Sequence, residues 1–388
     1  MIGAYDYAAL ERVVFGKPLA TALAEEMARL GCQRAFLVTS RSLSRGSDVV
    51  SGLRAALGEA FAGLFDEGAA HTPRRVVIAA AAAARAAGAD IFVSIGGGSA
   101  IDLTKMIQLV LAENITEAAQ LDALHLRLGP EGQMITPAIR AGGLRQIAVP
   151  TTLSAAEFTH SAGCVDEARG KKDVYRGREL CPVAVILDPS ISLHTPDWLW
   201  FSTAIRAVDH AVESICSSTA HPFTDATCLH GLRLLARSLR ATKANPDDLD
   251  QRLQSQVGAW LVSSGIARGQ HGASHGIGHS LGAVAGVPHG QCSCVLLPAV
   301  LRFNLAVNAA QQAMVSEALE RPGMAAADAV QELLRDLGLP LTLREVGVTE
   351  TQLPLIARTV LANRQQVATN PRPIGSEAEV REILNSAW

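Results

Sequence analysis

Short apolar runs alternate with helix-like stretches over the first half of the chain. The stretches between these runs have mostly a helical pattern, and the alanines around residue 80 fit helix propensity better than disorder. Strands and helices in alternation predict an open, parallel α/β sheet with buried strands. The four predicted strands are AFLVTS (35–40), IFVSI (91–95), QIAVP (146–150) and VAVILD (183–188).

The pattern changes after residue 189, where strand-like runs almost vanish. Long helical stretches dominate instead, for example at 224–241, 249–267 and 325–338. Pro189 and Pro196 interrupt regular structure between the two halves. A length of 388 residues also exceeds the size at which one core usually stops growing. We therefore expect an α/β domain over residues 1–189 and an all-α domain over residues 190–388.

Composition and charge narrow the classes of function. The formal net charge is −3, and no basic block with interleaved aromatic residues is present, which argues against nucleic-acid binding. The N-terminus lacks a signal-peptide pattern, and Arg85 and Asp90 break the most apolar run. Seven cysteines without a CxxC pair predict reduced thiols. We expect a soluble cytoplasmic protein without a membrane or nucleic-acid partner.

The first motif that carries chemistry is GGGS at 96–99, directly after a predicted strand. Consecutive glycines let backbone N–H groups approach a ligand, and the helix that follows favours an anion at its N-terminus. The motif is neither the G-x-G-x-x-G fingerprint nor a P-loop, and a plain tight turn explains the glycines equally well. Asp102 and Lys105, one helical turn apart near the loop, favour a dinucleotide site.

A second polar cluster follows the strand at 146–150, in the segment PTTLSAAEFTH. Ligands of open α/β sheets gather at strand ends, so Thr151, Thr152 and Ser154 are candidates for hydrogen bonds to a cofactor. A Thr- and Ser-rich turn that caps the next element is the alternative interpretation.

Four of the eleven histidines lie between residues 271 and 290. If the segment SHGIGHSLG is helical, two of them face the same side with a third one turn earlier, and Pro288 begins a new segment. The HExxH signature of zinc proteases is absent, so hydrogen-bonded structural histidines and metal ligands both remain open. Another predicted helix, upstream, projects His210 and Glu213. The clustered histidines are His271, His275, His279 and His289.

Together these motifs resemble the iron-containing alcohol dehydrogenase family, in the family's order and over most of the chain. The resemblance implies a Rossmann-like NAD(P)-binding domain, a helical catalytic domain, and a cleft between them that holds NAD(P) and a divalent metal, iron or zinc. It also implies a homodimer or larger homo-oligomer. The matching segments are GGGSxxDxxK at 96–105, PTTxSxxExT at 150–159, ILDP at 186–189, HAVE at 210–213 and HxxxHxLGxxxxxPHGxxxxxLLP at 275–298.

The resemblance also implies roles for individual residues. Gly97, Gly98 and Ser99 match the diphosphate-binding loop, while His279 matches the histidine beside the nicotinamide and is a candidate proton relay. His271 has no matching role. Further residues of the implied cofactor site are Asp102, Thr151, Thr152, Ser154 and Lys172. The implied metal ligands are His210, His275 and His289.

Arg206 is the most informative departure from the family pattern, because it replaces the fourth metal ligand, an aspartate. A guanidinium stays charged and repels a metal cation, so occupancy of the three-histidine site is in question. Asp209 would point to a different face of the helix from His210 and is a poor substitute. A guanidinium is well suited, however, to bind a substrate carboxylate.

Maleylacetate reductases, a branch of the wider family, also depart at this aspartate and reduce a dicarboxylate in aromatic compound catabolism. The basic segment 168–189 and NPRPI at 370–374 resemble that branch, although NPRP also fits a proline-bounded loop before a last helix. We therefore expect an NAD(P)H-dependent reductase of a small carbonyl or enone acid, an organic acid. Arg206 would hold the carboxylate or developing enolate, and His279 or His210 would supply a proton.

The sequence leaves alternatives open for the cofactor and for the class of reaction. Ser40 and Arg41 stand where the family often has an acidic residue that bonds the ribose, so both NAD and NADP fit, and Arg41 is either a phosphate ligand or a solvated loop residue. The alternative within the family is a metal-dependent alcohol dehydrogenase or aldehyde reductase. Outside it, a lyase similar to dehydroquinate synthase or a non-catalytic dinucleotide-binding protein would share the glycine-rich loop.

Overall fold

The computed structural model describes residues 5–69, 72–129, 133–140, 142–266 and 272–388. The chain forms two compact units, Met1–His194 and Thr195–Trp388.

The first unit contains a six-stranded sheet whose strands are all parallel, in the order β3-β2-β4-β7-β10-β1. The predicted open parallel sheet is therefore confirmed. Two antiparallel pairs, β5–β6 and β8–β9, lie outside this sheet. The strands are β1 (Arg12–Phe15), β2 (Ala35–Val38), β3 (Phe61–Phe65), β4 (Ile91–Gly96), β5 (Arg127–Leu128), β6 (Met134–Ile135), β7 (Arg145–Pro150), β8 (Ser161–Asp166), β9 (Lys171–Arg176) and β10 (Ala184–Leu187).

Helices cover both faces of the sheet, because successive side chains of the buried strands point to opposite sides. On one face Leu37 and Val93 pack in a cluster that includes residues of α1 and α3. On the other face Phe36 and Phe92 pack in a cluster that includes residues of α4 and α5. The helices of this unit are α1 (Leu19–Leu30), α2 (Arg41–Gly46), α3 (Val49–Leu57), α4 (Arg74–Ala86), α5 (Gly98–Ala112) and α6 (Pro189–Ser192).

A buried arginine fastens the β8–β9 pair to helix α4. Arg74 is 3% exposed, and its guanidinium donates to Asp173 Oδ2 and to the Tyr175 hydroxyl on β9, both at 3.0 Å. It also contacts Asp166 Oδ2 at 3.0 Å, at the end of β8. Because an unpaired buried charge is costly, this network fixes the position of the pair that carries Lys172.

Within its described residues the second unit contains helices and no strands. The helical stretches predicted from the sequence correspond to α8, α9 and α12. The helices are α7 (Asp197–Ile215), α8 (Pro222–Ala244), α9 (Leu249–Ile266), α10 (Ala273–Ala285), α11 (His289–Ala318), α12 (Ala326–Leu337), α13 (Leu353–Ala362) and α14 (Glu377–Ser386).

Helix α11 runs through the core of this unit. It begins at His289 after an N-terminal Pro288, contains Pro298, and departs from helical geometry at Asn308. By length and apolar composition it could cross a membrane, but 72% of its most apolar window is buried inside the unit. Buried core helices have the same composition, and Cys292 and Cys294 on this helix are core residues.

Candidate active site

The two polar loops of the first unit lie side by side at one edge of the sheet. Strands β4 and β7 are parallel neighbours, and Gly96 at the end of β4 pairs with Pro150 at the end of β7. The Thr151 N–H donates to the Gly96 carbonyl at 3.0 Å. The segments 97–99 and 151–154 therefore leave the sheet together, at the edge where ligands of open α/β sheets bind.

The glycines are required by the close approach of these loops. A Cβ on Gly97 would lie 3.0 Å from Cγ2 of Thr152, and a Cβ on Gly98 would lie 3.2 Å from Oγ of Ser154. Ser99 is exposed in the first turn of α5. The result is a side-chain-free cradle at the N-terminus of a 15-residue helix, which fits the diphosphate of a dinucleotide.

Ser40 lies beside this cradle, where the strand order reverses between β2 and β4. Its hydroxyl accepts a hydrogen bond from the Leu43 N–H at 3.4 Å and caps helix α2. Arg41 pairs with Glu67 at 2.8 Å, and both side chains are exposed. Such an exposed pair contributes at most about 1 kcal/mol to stability. Arg41 is therefore available to an anion that binds more tightly than Glu67.

Asp102 and Lys172 meet at Gly163 of β8. The Gly163 N–H donates to Asp102 Oδ2 at 3.1 Å, and the Lys172 side chain lies across the same glycine. Lys105 lies one helical turn from Asp102, as the sequence suggested, with Nζ 4.0 Å from Asp102 Oδ1. It is fully buried, and its ammonium donates to the carbonyls of Ala156, Thr159 and Ser161. Lys105 therefore holds the polar loop through the backbone carbonyls of residues 156–161.

The second unit places a buried cluster on helices α7 and α10. The rings of His210 and His275 stack with their centroids 4.7 Å apart, and both side chains are buried. Nδ1 of His275 is 2.7 Å from Oε2 of Glu213 and 3.5 Å from Oδ2 of Asp209. Asp209 and Glu213 are four residues apart, so both face the same side of α7. Sequence reasoning had set Asp209 aside as a poor substitute ligand.

The two carboxylates of this cluster are held by hydrogen bonds. Glu213 accepts from the N–H groups of Gly272 and Ser274 at 2.8 and 2.7 Å. Asp209 Oδ2 accepts from the hydroxyls of Ser274 and Ser293 at 2.8 and 2.7 Å. Burial raises the pKa of Asp209 to about 6 and also raises the pKa of Glu213 well above its ordinary value. Burial thus favours the neutral form of both groups.

The remaining clustered histidines form a separate ring contact. His279 on α10 and His289 at the start of α11 meet edge to face, with centroids 5.5 Å apart. His279 is exposed and His289 is half-buried. His271 lies outside the described residues. Helix α10 itself confirms the expected helical segment around His275 and His279.

Arg206 lies one turn before His210 on α7 and is half-buried. Within the described ranges its guanidinium forms neither a hydrogen bond nor an ion pair. Burial lowers its pKa, while the nearby charges of Asp209 and Glu213 act in the opposite direction. The site therefore contains a cation whose donors are open to an added anion.

The ligand-type side chains that the structure brings together differ from the three-histidine set that the resemblance implies. Within the part of the chain that the structure describes, one group of three ligand-type side chains has donor atoms within 4.8 Å of one another, namely Asp209, Glu213 and His275. Hydrogen bonds already join these three groups to one another or to their neighbours, and Arg206 adds a positive charge beside them. The three-histidine metal site stays a prediction, and we derive no step through a metal.

Two family profiles match nearly all of the chain. The profile described as "Iron-containing alcohol dehydrogenase" matches residues 11–189, and "Fe-containing alcohol dehydrogenase family, C-terminal" matches residues 201–388. The chain belongs to the iron-containing alcohol dehydrogenase family. The resemblance noted in the sequence is therefore confirmed, and the protein is an oxidoreductase of this family.

Similar proteins include members with different substrates in their names. The dehydrogenase FUM7 of Gibberella moniliformis is 33% identical, over 97% of this chain and 95% of that protein. The maleylacetate reductase of Rhizobium sp. strain MTP-10005 is 30% identical, over 97% of this chain and 95% of that protein. A solved 1,3-propanediol oxidoreductase has a TM-score of 0.88 at 28% identity, with both chains covered completely.

Proposed function

We propose that this protein is an NAD(P)H-dependent reductase of the maleylacetate reductase type, acting on a small carbonyl or enone substrate that bears a carboxylate. The observation that carries this proposal is Arg206. Its guanidinium is half-buried beside the His210–His275 pair and is not neutralised by an ion pair among the described residues. A planar guanidinium with open donors binds a carboxylate in bidentate fashion.

The glycine cradle supports the cofactor assignment. Gly97, Gly98 and Ser99 would hold the diphosphate with backbone N–H groups, while Thr152 and Ser154 form the opposite wall. The bound nicotinamide would supply the hydride. Ser40, Thr151, Asp102 and Lys172 extend the same site, and Arg41 makes NADP acceptable as well as NAD.

The chain's own residues provide charge and a proton. Arg206 binds the substrate carboxylate or stabilises a developing enolate oxygen. Asp209 and Glu213 accept hydrogen bonds from neighbouring N–H and O–H groups, and neither forms an ion pair with Arg206 in the described structure. His279, which is exposed, delivers the proton to the reduced substrate, and the buried His210 orients the His275 ring by stacking. We also propose that the protein is cytoplasmic and forms a homodimer or larger homo-oligomer.

The test compares a small 2-oxo or enone dicarboxylate with its methyl ester, by following oxidation of NADH and of NADPH. We expect the wild-type protein to prefer the acid. Arg206→Gln should lower kcat/KM for the acid by roughly 10- to 100-fold, the cost of a lost charged hydrogen bond, and leave the ester unchanged. The kcat/KM of Arg206→Lys for the acid should lie between the values of the wild type and of Arg206→Gln.

Two results would contradict this function. Equal loss of activity toward acid and ester in Arg206→Gln would mean that the guanidinium does not recognise the carboxylate. Consumption of a substrate without any net change in nicotinamide absorbance would instead indicate a lyase of the dehydroquinate synthase kind.

A further inference from the structure

The NPRP segment has a structural role that a proline-bounded loop alone would not require. Asn370, the first residue of this motif, lies between α13 and α14 and is 5% exposed. Its Oδ1 accepts a hydrogen bond from the Ala273 N–H at 3.1 Å. This contact joins the C-terminal loop to the first turn of α10, 97 residues earlier in the chain.

The orientation of the Asn370 amide is fixed by its other contacts. Its Nδ2 donates to Oδ1 of Asn304 at 2.8 Å and to the Arg372 carbonyl at 2.7 Å. Asn304, which is also buried, returns a hydrogen bond from its Nδ2 to Oδ1 of Asn370 at 3.0 Å. Because both Nδ2 partners are acceptors, the oxygen of Asn370 must face Ala273.

Two side chains from other elements hold the start of α10. Glu213 accepts from the N–H groups of Gly272 and Ser274, and Asn370 accepts from the N–H between them. The N-cap residue Gly272 has no side chain of its own, and a Cβ there would lie 2.7 Å from Glu213 Oε1 and 3.3 Å from Asn370 Oδ1. Buried N–H groups at a helix start need such partners, so the pair determines where the helix begins.

We propose that Asn370 is a positioning residue for the reaction. It fixes the first turn of α10, and therefore the His275 ring, against Glu213 and His210. The C-terminal segment thus completes the active site without touching a substrate. This inference rests on the proposed function only in placing His275 at the site of reaction.

Arg372 provides a matched control in the same loop. Its guanidinium lies 3.7 Å from the centre of the Phe303 ring, donates to the Phe303 carbonyl at 3.1 Å, and pairs with Glu382 at 3.2 Å. These contacts attach the loop to α11 and α14 and leave α10 untouched. Arg372→Gln therefore weakens the loop without removing the hydrogen bond to Ala273.

The experiment measures hydrogen exchange of the peptides that cover 272–285, and the ring signals of ¹⁵N-labelled His275, in the full-length protein. Asn370→Ala should increase exchange at the start of α10, shift the His275 signals, and lower kcat roughly tenfold with little change in KM for the acid. Asn370→Asp keeps an acceptor for Ala273 but loses the donor to the Arg372 carbonyl, so it should restore only part of the protection. Arg372→Gln should leave α10 and kcat as in the wild type.

The proposal is overturned if the hydrogen exchange of residues 272–285 is the same in Asn370→Ala as in the wild type. It is also overturned if Arg372→Gln has the same effect on exchange and kcat as Asn370→Ala. The second result would mean that general loosening of the loop, and not this hydrogen bond, affects the site. Failure of the proposed function would be recognised separately, because the wild-type protein would then not reduce the acid while the exchange data still report on the contact.

Discussion

In the proposed function, Arg206 changes the chemistry of a family site by one residue. A divalent metal would attract an oxygen of the substrate from any direction that its coordination leaves open. A guanidinium carries the same sign of charge as a metal ion, but its N–H donors lie in one plane. It therefore selects for a carboxylate or an enolate. The carboxylates of Asp209 and Glu213 are already held by hydrogen bonds from neighbouring groups, which fits this second kind of recognition.

Some site residues could be recognised from the sequence and others could not. The glycine loop and the clustered histidines were found because their spacing along the chain is local. Glu213 contacts Gly272 across 59 residues, and Asn370 contacts Ala273 across 97. No local pattern indicates such contacts, because they depend on which helix faces which after folding. The same reason explains why Asp209 was undervalued.

Glu157, in the polar loop of the first unit, should make stability depend on pH. It is 2% exposed, its Oε2 has no hydrogen-bond partner in the described structure, and burial raises its pKa from 4.5 to about 7. The folded protein therefore keeps this proton to higher pH than the unfolded chain. The resulting stabilisation is complete below about pH 4.5 and is lost as pH rises through 7, a change on the order of 3 kcal/mol.

Urea unfolding of Glu157→Gln between pH 4.5 and 8 tests this expectation. The amide cannot ionise, so the variant should gain stability relative to the wild type as pH rises. Glu59→Gln at an exposed position serves as the control and should show no such trend. A constant difference between wild type and Glu157→Gln across this range would contradict the account.

At the scale of elements, burial decided which strands could be predicted. Strands β2, β4, β7 and β10 are inside the sheet and read as continuous apolar runs. Strands β1 and β3 lie at the two edges, and their four and five residues are only partly buried, so they show no clear pattern. The β8–β9 pair was also missed, because its polar side chains resemble a basic loop.

The first turn of α5 should be sensitive to a single methyl group. In Gly98→Ala the added Cβ would lie 3.2 Å from Ser154 Oγ and would narrow the cradle. We expect the KM for NAD(P)H to rise roughly tenfold, about 1.4 kcal/mol of lost binding. Stability should change little, because the better helix propensity of alanine offsets the tight contact with Ser154 Oγ.

Gly52→Ala in α3 is the matched control, because a Cβ there would meet nothing within 4 Å. This variant should gain stability from the better helix propensity of alanine, and its KM for NAD(P)H should equal that of the wild type. The cradle assignment would be wrong if both variants had the same KM for NAD(P)H as the wild type.

At the scale of the whole molecule, the change of pattern near residue 189 was visible because a buried parallel sheet and a helical unit have different hydrophobic periods. The fold alone does not select a substrate. The chain is similar over most of its length both to a maleylacetate reductase and to a 1,3-propanediol oxidoreductase. In the proposed function, a few site residues make the choice between such reactions, above all Arg206.

The central claim is that the positive charge that binds the substrate belongs to the Arg206 guanidinium and not to a resident metal ion. Elemental analysis of the purified protein, with turnover of the acid substrate measured before and after chelation, tests it most directly. We expect less than about a tenth of an equivalent of metal and turnover that resists the chelator. Stoichiometric metal with chelator-sensitive turnover would contradict the claim, and would mean that the three predicted histidines or the Asp209–Glu213–His275 group binds a metal despite Arg206.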